Sequence, residues 1–435
     1  MQMQAVSKGL SVPGSPEQGA SVDEWLQWLE VIHPTEIDLG LDRVLVVLRR
    51  LFPQKPKARI ITVAGTNGKG TTVATLERLL IAGGRTTGAY TSPHLQCYNE
   101  RVRLNGEDIS DSALVSAFEA VEAARGSVSL TYFEFGTLAA FVALENAGVQ
   151  DWILEVGLGG RLDAVNVLDA DFAVITSIDI DHVGFLGDNR EVIGFEKAGI
   201  LRRRMTAVCA DPNPPASVLQ QAAAQKVDLR LTGRDYQLEN SAGRAGAVDL
   251  ILPKGRISLP AGPLPIESVA AAVVLATELL PHATFDALGN AAHAVRVPGR
   301  FEQLSNDPAV IVDVGHNPHA ALWLAEKLNG LKCAGGRRVI AVYAALADKD
   351  VEGVVAAMKP VVDSWYLAGL DVPRGLAVDA LEARAAVLSD VHGCASIAEA
   401  LDAAKKIAEP ADTIIVFGSF FTVAEARDLL IAKVP

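Results

Sequence analysis

The chain has 435 residues, half of them apolar and 21% charged, enough for two or three domains with sizeable cores. That composition excludes a disordered chain, a fibrous repeat and a disulfide-stapled miniprotein. Thirty-nine Lys and Arg against 52 Asp and Glu give a net charge of −13, so nothing draws the chain as a whole to nucleic acid or an anionic membrane.

The first twenty residues read as a mobile polar tail, without the apolar stretch of a secretory signal. No apolar run reaches the roughly 18 residues of a membrane span. Cys97, Cys209, Cys333 and Cys394 are far apart, lack metal-ligand spacing and read as buried, reduced thiols. The expectation is a soluble, cytoplasmic protein.

Ser21, with Glu24 three residues on, has capping-box spacing ahead of a helix over 22–32. A second helix runs over 41–51 and stops at Pro53. Apolar strands at 60–65, 86–92, 152–157 and 172–179 then intersperse with helices at 69–83, 111–124 and 133–147. These strands do not alternate polar with apolar, as expected of a parallel sheet covered on both faces. Three β-like pieces within 226–262 (VDLRL, VDLIL, RISLP) suggest a small antiparallel flap, followed by helices at 266–280 and 285–294.

Val297-Pro298-Gly299-Arg300 reads as a linker. Beyond it, strands at 309–315, 338–344, 364–369 and 413–419 are each followed by a helical stretch. The expected organisation is a tail (1–20), a large N-terminal domain (21–296) and a smaller C-terminal one (297–435). The fold class is α/β: a P-loop-type parallel sheet plus a Rossmann-like domain.

Gly65-Thr66-Asn67-Gly68-Lys69-Gly70-Thr71 lies between an apolar strand and a helix. Its glycines allow tight turning, its amides and the helix N-terminus face an anion, and Lys69 adds a point charge. It departs from the strict phosphate-loop pattern, because Val63 holds the first glycine position and Gly70 follows the lysine. Ser92, Glu155 and His182 lie at or just past strand ends, which in a parallel sheet share one crevice with that loop. Hydroxyl and carboxylate oxygens suit Mg²⁺; a histidine there reads by chemistry as an orienting residue. Asp179 and Asp181 flank the same strand end. Lys197, alone, reads as a solvated surface lysine.

The loop resembles that of the ATP-dependent Mur ligase superfamily and, more narrowly, of the folylpolyglutamate synthase family with its bifunctional dihydrofolate synthase members. Further segments agree in order. They are 35–43 (TEIDLGLDR), 91–95 (TSPHL), 130–134 (LTYFE), 154–163 (LEVGLGGRLD), Asp181-His182, 196–200 (EKAGI), 298–301 (PGRF) and 313–319 (DVGHNPH).

The resemblance implies two Mg²⁺ ions held by Ser92, Glu155, His182 and a carbamylated Lys197. It implies ATP as co-substrate, contacted by Thr66, Asn67, Gly68, Lys69, Gly70, Thr71, Ser268, Arg300, Asp313 and His316. Lys69, His182, Lys197 and Arg300 would serve catalysis. Dihydropteroate would lie against Asp38, Arg43, Thr131, Tyr132, Phe133, Glu134, Arg161 and Asp163. Without the resemblance, Tyr132 and Phe133 are equally core residues at a helix start, and Asp313-x-x-His316 a polar turn.

Lys349 and Arg374 are candidate partners for the carboxylates of glutamate. Ser268, Ala347 and Phe421 depart from the family pattern. The implied activity is an ATP-dependent amide ligase, working as a monomer, that adds L-glutamate to dihydropteroate and to reduced folates. Its alternatives are a monofunctional folylpolyglutamate synthase, another Mur-type amino-acid ligase and a non-catalytic nucleotide switch.

Overall fold

A computed structural model describes residues 14–17, 19–35, 37–241, 246–260, 262–335 and 338–431. Most of the expected tail, and Glu36 of the 35–43 segment, lie outside the described residues.

Among these residues the large sheet has eight strands: β1 Arg59–Ala64, β2 Thr87–Tyr90, β3 Val102–Leu104, β4 Glu107–Asp108, β5 Asp151–Glu155, β6 Phe172–Ile175, β7 Thr206–Cys209 and β8 Asp228–Leu231. Their order is β4-β3-β2-β5-β1-β6-β7-β8, parallel from β2 to β8, with β3 and β4 as an antiparallel edge. β1 and β5 are buried almost throughout because both faces are covered. One face carries Trp25, Phe118, Phe135 and Trp152; the other packs Val73, Leu76 and Leu79 against the apolar helix Ile266–Leu279. The helix Tyr132–Asn146 is apolar nearly all round and accordingly sunk in the first core. The Ser21 capping box is present, with Ser21 N donating to Glu24 Oε2 at 2.8 Å.

The flap is only partly as expected. VDLRL supplies β8, which pairs with β7 in parallel as the last strand of the large sheet. The flap itself is β9 Gln237–Asn240, β10 Val248–Leu252 and β11 Gly255–Leu259, all antiparallel.

The C-terminal sheet contains β12 Glu302–Asn306, β13 Ala309–Asp313, β14 Val339–Tyr343, β15 Ser364–Ala368, β16 Val391–Cys394 and β17 Thr413–Phe417. Their order is β12-β13-β17-β14-β15-β16, parallel except for β12. All four cysteines are free thiols, but only Cys209 and Cys394 are buried; Cys97 and Cys333 are exposed, on a polar loop and a helix surface. No helix among the described residues is long and apolar enough to cross a membrane.

Candidate active site

The order β2-β5-β1-β6 sets four carboxyl ends side by side. They deliver Ser92, Glu155, the phosphate loop and the 176–182 segment to one crevice. β13 brings Asp313 and the loop after it to the opposite wall.

The loop can be built only from glycine at two positions. A Cβ on Gly65 would stand 1.7 Å from Thr176 Oγ1, and one on Gly68 (φ 88°) would stand 2.1 Å from Ser268 Oγ. Gly68 precedes the helix Lys69–Ala82 and offers it no side-chain cap, so the first-turn N–H groups stay available to an anion. Lys69 Nζ donates to Gly65 O (3.1 Å) and Thr66 O (3.2 Å), folding back over the loop. Its burial pulls the ammonium below its usual range, with the charges of Glu155 and Asp181 opposing.

Two cavities meet at Arg300. One of about 330 Å³ is lined by Asn67, Gly68, Thr71, Ser268, Asp313 and Arg300. Another of about 820 Å³ is lined by Gly70, Ser92, Glu155 and Arg300. The Arg300 guanidinium lies over the Phe420 ring at 5.5 Å, and its charge reaches both Lys69 and Glu155. Ser268, the departure from the family pattern, packs directly on the phosphate loop.

Glu155 is 5% exposed, and burial raises its carboxyl, with Lys69 and Arg300 opposing. Among the described residues its hydrogen bond is a long one, from Ser92 N to Oε2 at 3.4 Å. A buried carboxylate that poorly satisfied, beside a serine hydroxyl, suits a hard cation. Three His, Cys, Asp or Glu side chains do not converge as a metal cluster among the described residues, so any ion here would depend on the serine and on Lys197.

His182 has left-handed backbone (φ 53°) and is solvent-exposed; partial desolvation, with the positive charges of Lys349 and Lys69, lowers its imidazole to about 4, leaving it neutral and able to ligate. Lys197 is not the surface lysine that sequence alone suggests. It is 3% exposed in the helix Arg190–Ala198, and its side-chain amine has no hydrogen-bond or ion-pair partner among the described residues. Burial, then the charge of Lys69, lowers its amine to about 7.

The other candidates are held largely by one another. Arg43 donates to Asp38 Oδ2 (2.6 Å) and Glu134 Oε1 (2.8 Å). Thr131 and Glu134 form the capping box of the helix Tyr132–Asn146. Tyr132 packs edge-on to Tyr98, and the Phe133 ring covers Gly157, where a Cβ would stand 2.6 Å from its Cζ. Asp163 accepts from Leu158 N and Val165 N, both at 2.9 Å, and Arg161 pairs with Glu196 at 2.8 Å.

In the opposite wall, Asp313 accepts from Phe301 N (2.8 Å) and Gly315 N (2.7 Å), fixing the linker exit. His316 Nε2 lies 3.6 Å from Asp181 Oδ2. Lys349, read as a partner for glutamate, donates to Asp181 Oδ1 at 3.1 Å, and Arg374 lies 3.6 Å from Asp348. Sequence reasoning left Asn317 and His319 without roles. Both reach Asn67, at 3.1 and 2.9 Å. Their place in the 313–319 segment was the available signal.

The Mur ligase middle domain family matches residues 63–244, and the Mur ligase glutamate ligase domain family matches residues 299–420. The chain is 42% identical over 421 residues to the dihydrofolate synthase/folylpolyglutamate synthase of Escherichia coli (strain K12), covering 96% of this chain and 98% of that one. It is 41% identical to the enzyme of the same name from Haemophilus influenzae, over 92% of this chain and 96% of that one. E. coli FolC in complex with DHPP and ADP has a similar structure: TM-score 0.91 and 41% identity, over 96% of this chain and 99% of that one. The Yersinia pestis bifunctional enzyme complexed with AMPPNP and Mn ion gives a TM-score of 0.88 at 39% identity, over 96% and 100%.

Proposed function

The chain belongs to the dihydrofolate synthase/folylpolyglutamate synthase family of Mur-type ligases, and from that premise we propose that it adds L-glutamate to dihydropteroate, giving dihydrofolate, and to reduced folates, giving folylpolyglutamates. Arg300 carries this reading: it enters from the linker and lines both the cavity of the phosphate loop and the cavity of Glu155.

The substrate carboxylate attacks the γ-phosphorus of ATP, ADP leaves, and an acyl phosphate forms. The glutamate amine then attacks the acyl carbon, loses its proton, and phosphate departs. The chain's task is positioning and neutralisation of charge. Lys69 and the first-turn amides hold the phosphates, and Arg300 approaches from the far side. Thr66, Asn67, Gly70, Thr71, Ser268, Asp313 and His316 complete the nucleotide site.

Ser92, Glu155 and His182 would hold Mg²⁺, and a carbamate on Lys197 would supply the oxyanion for a second ion. When bound they supply Lewis-acid neutralisation of the phosphate oxygens. Dihydropteroate lies against Tyr132 and Phe133, in a wall preassembled by the Asp38–Arg43–Glu134 network with Thr131, Arg161 and Asp163. Both walls come from one chain, which supports a monomeric enzyme. Its place is the cytoplasm, and the hinge between domains falls at 297–300.

Phosphate release with ATP, Mg²⁺ and glutamate tests this, comparing dihydropteroate, tetrahydrofolate and a UDP-muramoyl substrate. Release with the first two is expected. Release with tetrahydrofolate alone would make the chain monofunctional, and release with the muramoyl substrate alone would make it a different ligase.

A further inference from the structure

Asn317 follows β13 and stands at the start of the helix Pro318–Gly335, 4% exposed. Its amide has two acceptor sites and two donor hydrogens, and all four are engaged. Oδ1 accepts from Ala320 N (2.9 Å) and from Asn67 Nδ2 (3.1 Å). Nδ2 donates to Asn67 Oδ1 and to Asp181 Oδ2, each at 3.1 Å.

The orientation of the amide is determined by chemistry. Asp181 can only accept, and Ala320 N can only donate, so oxygen and nitrogen cannot be exchanged. The same logic fixes Asn67, whose Nδ2 also reaches His319 Nδ1 at 2.9 Å. One lone pair of Asn317 therefore caps its own helix. The other three contacts go to the larger domain: two to the phosphate loop and one to the residue preceding His182.

We infer that Asn317 is a positioning residue that sets the phosphate loop and the 181–182 segment in register when the two domains meet. A helix cap alone needs only an oxygen, which Ser or Asp provides as well as Asn. The three cross-domain contacts need the whole amide. With all four amide sites engaged by protein groups, Asn317 acts on turnover through Asn67 and Asp181.

This inference rests on the proposed ligase activity, and its test separates the two. Asn317→Ser keeps the cap and removes the cross-domain contacts. Its melting temperature should stay within about 3 °C of wild type, while turnover at saturating ATP and glutamate falls at least tenfold. The loss should be equal for dihydropteroate and tetrahydrofolate. Asn317→Asp, capped but facing Asp181 with a second carboxylate, should lose more. Asn67→Ala removes the pair from the other side together with the proposed nucleotide contact, so at saturating ATP the double variant with Asn317→Ser should lose less than the two single losses combined. Wild-type turnover in Asn317→Ser, or fully additive losses in the double variant, would overturn the inference. A wild-type protein that ligates neither acceptor would overturn the functional reading instead.

Discussion

Lys349 Nζ donates to Asp181 Oδ1 at 3.1 Å, joining a C-terminal ammonium to a carboxylate at the end of the large sheet's β6 segment. Both side chains are largely buried, at 11% and 13% exposure. Burial alone would raise the Asp181 carboxyl. The close approach of His316, 3.6 Å away, and the charge of Lys349 outweigh it and hold the group well below the usual carboxylate range.

If Lys349 serves the domain contact, Lys349→Ala should lower turnover at least tenfold, and excess glutamate should not restore it. A rate recovered by raising glutamate would return Lys349 to the role of substrate partner. Steady-state kinetics against glutamate concentration decide the point.

Arg300 has no carboxylate within ion-pair distance among the described residues, and its charge faces the junction of the two cavities. Arg300→Ala should lower turnover by at least tenfold, equivalent to about 1.4 kcal/mol of barrier. A variant changed only in thermal stability would make the arginine a part of the linker's packing against Phe420.

Asp163 carries a pH signature of its own. Burial raises its carboxyl from the ordinary 3.8 to about 6, with backbone hydrogen bonds from Leu158 and Val165 opposing. Between those values the folded chain binds the proton more readily than the unfolded one. Its contribution to stability is thus present below about pH 4 and lost as pH rises through 6. A shift of that size corresponds to up to about 3 kcal/mol. Denaturant unfolding of wild type and Asp163→Asn at pH 4 to 7 should show the slope only in wild type. Parallel profiles would mean that the carboxylate stays ionised throughout.

The sheet was legible in the sequence where burial is two-sided, because β1, β5, β13, β14 and β17 are mostly apolar and do not alternate polar with apolar. β12, with the polar sequence Glu302-Gln303-Leu304-Ser305-Asn306, forms an edge and carries no such signal. β16, Val391-His392-Gly393-Cys394, is equally unmarked. VDLRL reads locally like the flap strands; only long-range pairing with β7 separates it from them. At the site, the phosphate loop was legible because glycine is required by contacts of 1.7 and 2.1 Å. The Asp181–Lys349 and Asn67–Asn317 pairs were not, because they span 168 and 250 positions and depend on how the two domains meet.

Lys197 makes the strongest demand on its surroundings. An ammonium at that position would repel a metal ion, and even unit charges about 4 Å apart interact by roughly 4 kcal/mol at an effective dielectric of 20. Burial instead lowers the amine to about 7, so a neutral nitrogen is available at neutral pH. That nitrogen can attack CO₂, forming an N–C bond and releasing a proton, and the product is an oxyanion able to ligate. Lys197→Ala should lose most activity, and a short carboxylic acid in the buffer should restore part of it by filling the vacant space. Removing CO₂ at mildly acidic pH should weaken wild type reversibly. Isotopically labelled CO₂ should give a carbamate signal that is absent from Lys197→Ala. An active preparation whose Lys197 remains an unmodified amine would exclude the carbamate, and the second metal position would then need another ligand.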